Sequence, residues 1–215
     1  MMENKESFLS KIVGLYKTLK GTVAHYFLVM ENLFKFEIAS VKPTTVFDLK
    51  GAIVNRKSKP GAKVKLDVDW IEKNEKLELE EAQAEKMLNQ IHKDAVFLKE
   101  NNLMDYSLLL GIHEFEEGVD LKEIEKDMVP NKHFFDHSRK RFVFLSIIDF
   151  TQVYDGKKKV AHFLKKIVHS SHLLSTIRSD PYCSRFIQFI HHKVLHLGDS
   201  ILQEAGSPTN NHLEN

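Results

Sequence analysis

Apolar and polar positions divide the 215-residue chain into a strand-rich first third, a helical middle and a helical end. Ile12 to Leu19 and Thr22 to Val29 are rich in β-branched and aromatic residues and flank Lys20-Gly21, so they predict a hairpin. Tyr26 to Met30 is a continuous apolar run. Phe36 to Val41 predicts a further strand, ended by Pro43, and Thr44 to Leu49 predicts another that runs into Lys50-Gly51. Asn55 to Lys63 (NRKSKPGAK) is basic, polar and turn-rich, and predicts a loop. From Ala84, apolar residues fall at Met87, Leu88, Ile91, Ala95 and Leu98 with charges between them. That spacing predicts a long helix with one buried face, ending near Asn101-Asn102.

Two short apolar runs follow, Ser107 to Ile112 and Arg141 to Ile148 (RFVFLSII), and both predict core strands. Each meets an acid: Asp105 stands just ahead of the first, and Asp149 directly follows the second. Burying an unpaired polar group costs roughly 2–7 kcal/mol, and a charge costs more. Asp105 is therefore exposed at the mouth of its strand, paired, or present for chemistry. Glu114 to His137, acidic and then mixed with Pro130, predicts a surface insertion. Tyr182 to Leu195, with Phe186, Phe189, Ile190 and Val194, predicts a final helix. The polar stretch beyond Leu202 predicts a frayed tail. The organisation expected is one domain over 1–200 and a disordered tail over 201–215.

Composition narrows the function. A chain that is 42% hydrophobic and 28% charged reads as globular rather than disordered. The net charge of +1 gives no global field for nucleic acid, so a charged partner must meet a local patch. The single Cys183 excludes an internal disulfide and a cysteine zinc site. His191-His192 and the group His162, His169 and His172 lack carboxylate or cysteine companions at metal-site spacing. The chain has no apolar run of about 18 residues to cross a membrane, and its first residues lack the apolar region of a secretory leader.

Two aspartates at strand ends suit phosphoryl transfer. One acid orients or deprotonates the attacking hydroxyl, and another holds magnesium against the phosphates. Magnesium keeps several waters, so one or two carboxylates suffice. The same pair is also accounted for by two caps, because aspartate is common at element ends, and spacing alone favours that account.

Three stretches go further: FDLKGAIVNR (Phe47 to Arg56), LMDYSLLLGIH (Leu103 to His113) and FLSIIDFTQVYDGKKKVAH (Phe144 to His162). They resemble, in order, the phosphatidylinositol phosphate kinase blocks Y-D-L-K-G-S-x-x-x-R, M-D-Y-S-L-L-x-G-I-H and I-I-D-x-L-x-x-Y-D-x-K-K-K. The resemblance runs from about Phe8 to Leu195. It implies an α+β fold distantly related to the protein kinases, mostly C-lobe with the last strands of the N-lobe. The implied reaction moves the ATP γ-phosphate to an inositol hydroxyl of a phosphatidylinositol monophosphate, giving a bisphosphate, with ATP and Mg2+ as cofactors. Asp105 matches the catalytic-loop aspartate. Asp149 matches the magnesium-binding aspartate, counterpart of the protein-kinase D-F-G acid, although Phe150 is followed here by Thr151. Met30, Glu31, Asn32, Leu33 and Phe34 fall at the interlobe hinge, where Asn32 and Phe34 are expected to pack the nucleotide base. Lys50 is expected at a phosphate, or else as a surface lysine in a tight turn.

After Asp149, Lys157, Lys158 and Lys159 precede Val160, Phe163, Leu164, Ile167 and Val168, which are helically spaced and flanked by Lys165 and Lys166. Such a basic amphipathic segment suits an anionic membrane surface, where each lysine contributes about 1 kcal/mol, and it also suits an ordinary surface helix. The resemblance makes it the specificity loop and implies a cytoplasmic protein, peripheral to the cytoplasmic face of membranes. Kinases of the 4-phosphate lipid read K-K-L-E-H there and kinases of the 5-phosphate lipid K-K-A-A-H. Lys158 to His162 reads KKVAH, so Ala161 leans toward 4-kinase specificity while both isomers stay open.

The chain departs from the family in its first part. A kinase needs a Gly-rich loop over the phosphates and a strand lysine, and only seven residues precede Phe8. The chain is expected to begin inside the N-lobe and to be weakly active or inactive alone. Ala52 replaces a serine, and DVDW (Asp67 to Trp70) replaces D-x-D-F. The alternatives are a pseudokinase-like module that binds anionic membrane without catalysis, and an unrelated α/β scaffold with two strand-end caps.

Overall fold

The computed structural model describes residues 4–35, 41–116, 121–126, 128, 132–153 and 179–198. Strands β1 (Ile12–Lys20) and β2 (Val23–Met30) form the expected antiparallel hairpin, turned by Gly21 at φ 62°. The centre is a five-stranded sheet. It contains β3 (Thr45–Leu49), β4 (Val64–Lys65), β6 (Ser107–Glu114), β7 (His133–Asp136) and β8 (Arg141–Ile148) in the order β4-β3-β6-β8-β7. Only the β3–β4 pair among these is parallel. A separate two-stranded ribbon joins β5 (Leu103–Met104) to β9 (Gln152–Val153).

Helix α1 (Asp67–Glu72) is short, and Asp69 in its first turn accepts the Leu66 backbone N–H at 2.9 Å. Helix α2 (Glu81–Glu100) buries Ala84, Met87, Leu88, Ile91, Ala95 and Leu98, as their spacing requires. Asn101 caps it, and Asn102 turns the chain at φ 55°, a conformation asparagine adopts more readily than most residues. A short helix α3 (Leu121–Lys126) precedes β7. Helix α4 (Ser179–Phe189) runs on into a π-helical turn, Ile190–Leu195, whose Lys193 and Val194 carbonyls accept the Trp70 indole N–H and the Leu77 N–H at 2.8 Å each.

Both sheet faces are covered, which is why β8 is apolar without alternation. Val143, Leu145 and Ile147 pack with Leu108 and Leu110 of β6 against α2 and α4. Phe142 and Phe144 point the other way, toward Leu33, Val41, Ile124 and Phe135. The stretch Phe8 to Ser10 lies along β8: Ser10 N–H donates to the Ile147 carbonyl at 2.9 Å, and Ile147 N–H to that of Phe8 at 2.7 Å. Asp94, a buried acid on the apolar face of α2, accepts the Phe8 N–H at 2.6 Å.

The surface insertion expected over Glu114 to His137 needs correction. Its end forms β7, whose four residues are all buried. HFFD is too short to show a period, and its polar neighbours mask it. The expected Phe36–Val41 strand lies outside the described residues except for the buried Val41. The amphipathic segment from Val160 and the tail beyond Leu202 also lie outside them. Among the described residues no helix is long and apolar enough to cross a membrane.

Candidate functional site

Strand pairing builds the site. Across β6 and β8, Ser107 faces Ile148, so Asp105 and Asp149 leave the same end of the pair. Leu49 of β3 faces Leu108, which brings Lys50 to that end as well. Beyond the two aspartates the chain pairs again: Met104 faces Gln152 and Leu103 faces Val153 in the β5–β9 ribbon. Each aspartate is thus the joint between two antiparallel pairings, and each takes a left-handed backbone, φ 67° at Asp105 and 61° at Asp149. Aspartate tolerates that region better than most residues, and such conformations gather at active sites.

Lys50, Asp105, Asp149 and Thr151 line one cleft of about 400 Å³. Lys50 Nζ lies 3.9 Å from Asp105 Oδ1, and both side chains are largely buried. This answers the question that Asp105 posed: it stands at the mouth of β6 with a cation across from it. Lys50 is not a free surface lysine.

The turn that presents Lys50 is held by groups the sequence analysis did not single out. Asp67, fully buried, accepts the backbone N–H groups of Lys50, Gly51 and Ala52 at Oδ1 (2.8, 2.7 and 3.2 Å). Its Oδ2 accepts Arg56 Nε at 2.7 Å. Arg56 Nη2 donates to Asp48 Oδ1 at 2.6 Å, and Ser107 Oγ donates to Asp48 Oδ2 at 3.1 Å. Burial alone would lower the Arg56 guanidinium; the Asp67 and Asp48 carboxylates outweigh it and raise it. The basic loop over Asn55 to Lys63 therefore has one partly buried, structural member, Arg56. Two signals were available: Arg56 closes the FDLKGAIVNR block, and Asp67 opens DVDW.

Asn32 and Phe34 do not line the cleft. Asn32 is exposed, and its Oδ1 accepts the Phe34 N–H at 3.0 Å. The Phe34 ring meets Phe144 edge-on at 5.7 Å and lies against Gly111, where a Cβ would stand 2.7 Å from its Cε1. The glycine of LLLGIH is what lets that ring approach β6. Lys157, Lys158, Lys159, Ala161, Lys165 and Lys166 lie outside the described residues.

The donor set suits a hard cation. Two carboxylates with no sulfur or imidazole among the cleft residues match magnesium, which takes one or two acids and completes its shell with water and phosphate oxygens. Among the described residues no group of three or more His, Cys, Asp or Glu side chains forms a self-sufficient metal cage.

Comparison with known proteins places the chain in a family. The family model described as phosphatidylinositol-4-phosphate 5-kinase matches residues 1–140 and 123–193. Phosphatidylinositol 5-phosphate 4-kinase type-2 gamma of Xenopus tropicalis is 27% identical over 234 residues, covering 86% of this chain and 55% of the relative. The type-2 alpha enzyme of Rattus norvegicus is 28% identical over 234 residues, covering 86% and 57%. The human type-2 gamma enzyme is 27% identical over 240 residues, covering 86% and 56%. The chain spans a little over half the length of these relatives. With that match across most of its length, the chain belongs to the phosphatidylinositol phosphate kinase family.

Proposed function

We propose that this chain carries the reacting half of a lipid kinase that moves the ATP γ-phosphate to an inositol-ring hydroxyl of a phosphatidylinositol monophosphate. The observation that carries this is the convergence of Lys50, Asp105 and Asp149 in one cleft. Asp105 accepts the proton of the attacking hydroxyl. The oxygen of that inositol hydroxyl forms the new bond to γ-phosphorus as the bond to the β,γ-bridging oxygen breaks, and ADP leaves. Lys50 sets a positive charge where negative charge accumulates on the transferred group. Asp149 would hold magnesium, which supplies charge neutralisation on the phosphates. Asn32 and Phe34 are proposed to meet the nucleotide base at the end of β2.

For the isomer we propose the 5-phosphate lipid, phosphorylated at position 4. Ala161 supports it, and so does similarity to relatives named phosphatidylinositol 5-phosphate 4-kinases. The basic segment Lys157 to Lys166 is proposed to rest on an anionic, cytoplasmic membrane face. The test is transfer from labelled ATP to vesicles holding either monophosphate lipid, with Asp149→Asn as control. For this chain alone, transfer to the 5-phosphate lipid is expected to be weak and to be abolished in the control. Preference for the 4-phosphate lipid overturns the isomer reading.

One observation favours a second reading. Among the described residues β1–β2 is uncovered on both faces, with ten large apolar side chains exposed, so nothing described there clamps phosphates over the cleft. On this reading the chain is a catalytically inactive, pseudokinase-like module that binds anionic vesicles and transfers nothing.

A further inference from the structure

Helix α4 touches both shoulders of the cleft. On one side, Arg185 Nη2 donates to the Lys50 carbonyl at 3.1 Å. Gly51, at φ 68°, lies directly on the helix: a Cβ there would stand 3.0 Å from the Arg185 carbonyl oxygen and 3.0 Å from Phe189 Cβ. On the other side, the Tyr182 hydroxyl donates to the carbonyl of Tyr106, the residue after Asp105. The two contacts are coupled, because the Arg185 guanidinium lies 4.8 Å from the centre of the Tyr182 ring. Tyr106 in turn meets Tyr182 and Phe186 edge-on at 4.7 and 5.0 Å.

Arg185 is a costly way to make one hydrogen bond. It is 8% exposed, and its Nε and Nη1 have no hydrogen-bond acceptor among the described residues. A buried guanidinium with unpaired donors destabilises a fold, and apolar replacements of buried charges are often neutral or stabilising. Burial also depresses its basicity, a further sign that the fold holds it at a cost. Stability alone gives no reason for an arginine here, whereas the Lys50 carbonyl and the Tyr182 ring both need its planar fork.

We infer that Arg185 and Tyr182 are positioning residues: through one helix they fix the turn bearing Lys50 against the loop bearing Asp105, and so set the separation of that pair. Neither touches the reacting atoms. The inference rests on the reading of Lys50 and Asp105 given above for its catalytic meaning, but the clamp itself is measurable without catalysis.

The test is competitive acylation of the lysines in the intact chain, read by mass spectrometry, for the wild type, Arg185→Met and Tyr182→Phe. Lys50 is protected in the wild type, and exposed Lys73 serves as the internal reference. Lys50 acylation is expected to rise about tenfold in both variants, with Lys73 unchanged, as a local contact is released. The melting temperature of Arg185→Met is expected within about 3 °C of the wild type. Where the wild type transfers phosphate, kcat is expected to fall about tenfold with KM for ATP and lipid changed less than about threefold. A merely structural role would lower the melting temperature and raise acylation at every lysine together, and that result overturns the inference. Unchanged Lys50 acylation in both variants overturns it too. If Arg185→Met does not fold, Tyr182→Phe, which removes one hydroxyl, decides alone. A wild type that transfers nothing but shows the Lys50 response sinks the kinase reading and leaves the clamp standing.

Discussion

Arg56 Nε lies 2.7 Å from Asp67 Oδ2 in an ion pair whose carboxylate is fully buried, and that pair underpins the turn that carries Lys50. Removing the acid takes from Arg56 one of its two carboxylate partners and leaves three backbone donors without their acceptor. Asp67→Ala is expected to lower stability by about 3–5 kcal/mol, measured as a shift in the urea midpoint. Asp67→Asn, which keeps an oxygen for the backbone donors, is expected to cost less. Equal losses in the two variants would show that the charge, and not the three N–H groups, dominates.

The left-handed backbone at Asp149 separates chemistry from conformation. Asp149 is exposed, so its substitution leaves the core intact. Asn adopts that backbone readily and Gly freely, whereas Ala pays roughly 1–2 kcal/mol. Melting temperatures are expected in the order Gly and Asn above Ala. Transfer is expected to fall at least about 100-fold in all three. Activity that follows stability rather than the loss of the carboxylate would refute the assigned role.

The His133 ring lies between Phe142 and Phe144, 5.2 Å from each. Burial, assisted by the Lys132 charge, lowers its pKa to about 4. Between its ordinary value near 6.5 and about 4, the unfolded chain takes up a proton that the folded chain refuses. Stability therefore falls as pH falls through that window, by about 3 kcal/mol from this residue. Asp94, raised by burial despite donors from Phe8, Ser7 and Gln90, contributes with the opposite sign. The slope of stability against pH in His133→Phe is expected to be smaller than in the wild type by about one proton. Parallel slopes would exclude the assignment.

The elements that sequence revealed are those whose pattern is local. The hairpin followed from Lys20-Gly21 between two β-rich runs. β8 occupies the expected residues because it is continuously apolar, and α2 extends the expected period by one turn at its start. The parallel β3–β4 pair, β7 and the β5–β9 ribbon were hidden, because two- and four-residue strands carry no period and depend on partners distant in sequence. The site divides in the same way. Asp105, Asp149 and Lys50 were legible beside strand ends and in the three blocks. Asp67 showed only as the first residue of DVDW, and Arg185 not at all, because an acid and a base that hold backbone groups from 15 to 135 residues away look like ordinary surface charges in a linear string.

Gly111 offers a test of the Phe34 placement. A Cβ at 111 would stand 2.7 Å from Phe34 Cε1 and 3.0 Å from Pro43 Cβ. Gly111→Ala is expected to destabilise by about 1–3 kcal/mol. Phe34→Ala in the same chain is expected to recover part of that loss, read as a non-additive double-mutant cycle. Additive losses would mean that the ring and the glycine do not meet.

Hydrogen exchange tests the uncovered hairpin. A two-stranded ribbon without a packed face is marginally stable. Amides of Ile12 to Met30 are expected to exchange at least about 1,000-fold faster than those of Arg141 to Ile148. Equal protection would show that β1–β2 has found a cover in solution.

The β5–β9 ribbon has a mechanical consequence. Because Met104 is bonded to the Gln152 strand on one side of the aspartates and Ser107 to the Ile148 strand on the other, the two acids are corners of a single closed frame. Two sets of ladder bonds, one on each side of the acids, therefore tie Asp105 to Asp149, so their spacing depends on strand register rather than on the conformation of a single loop.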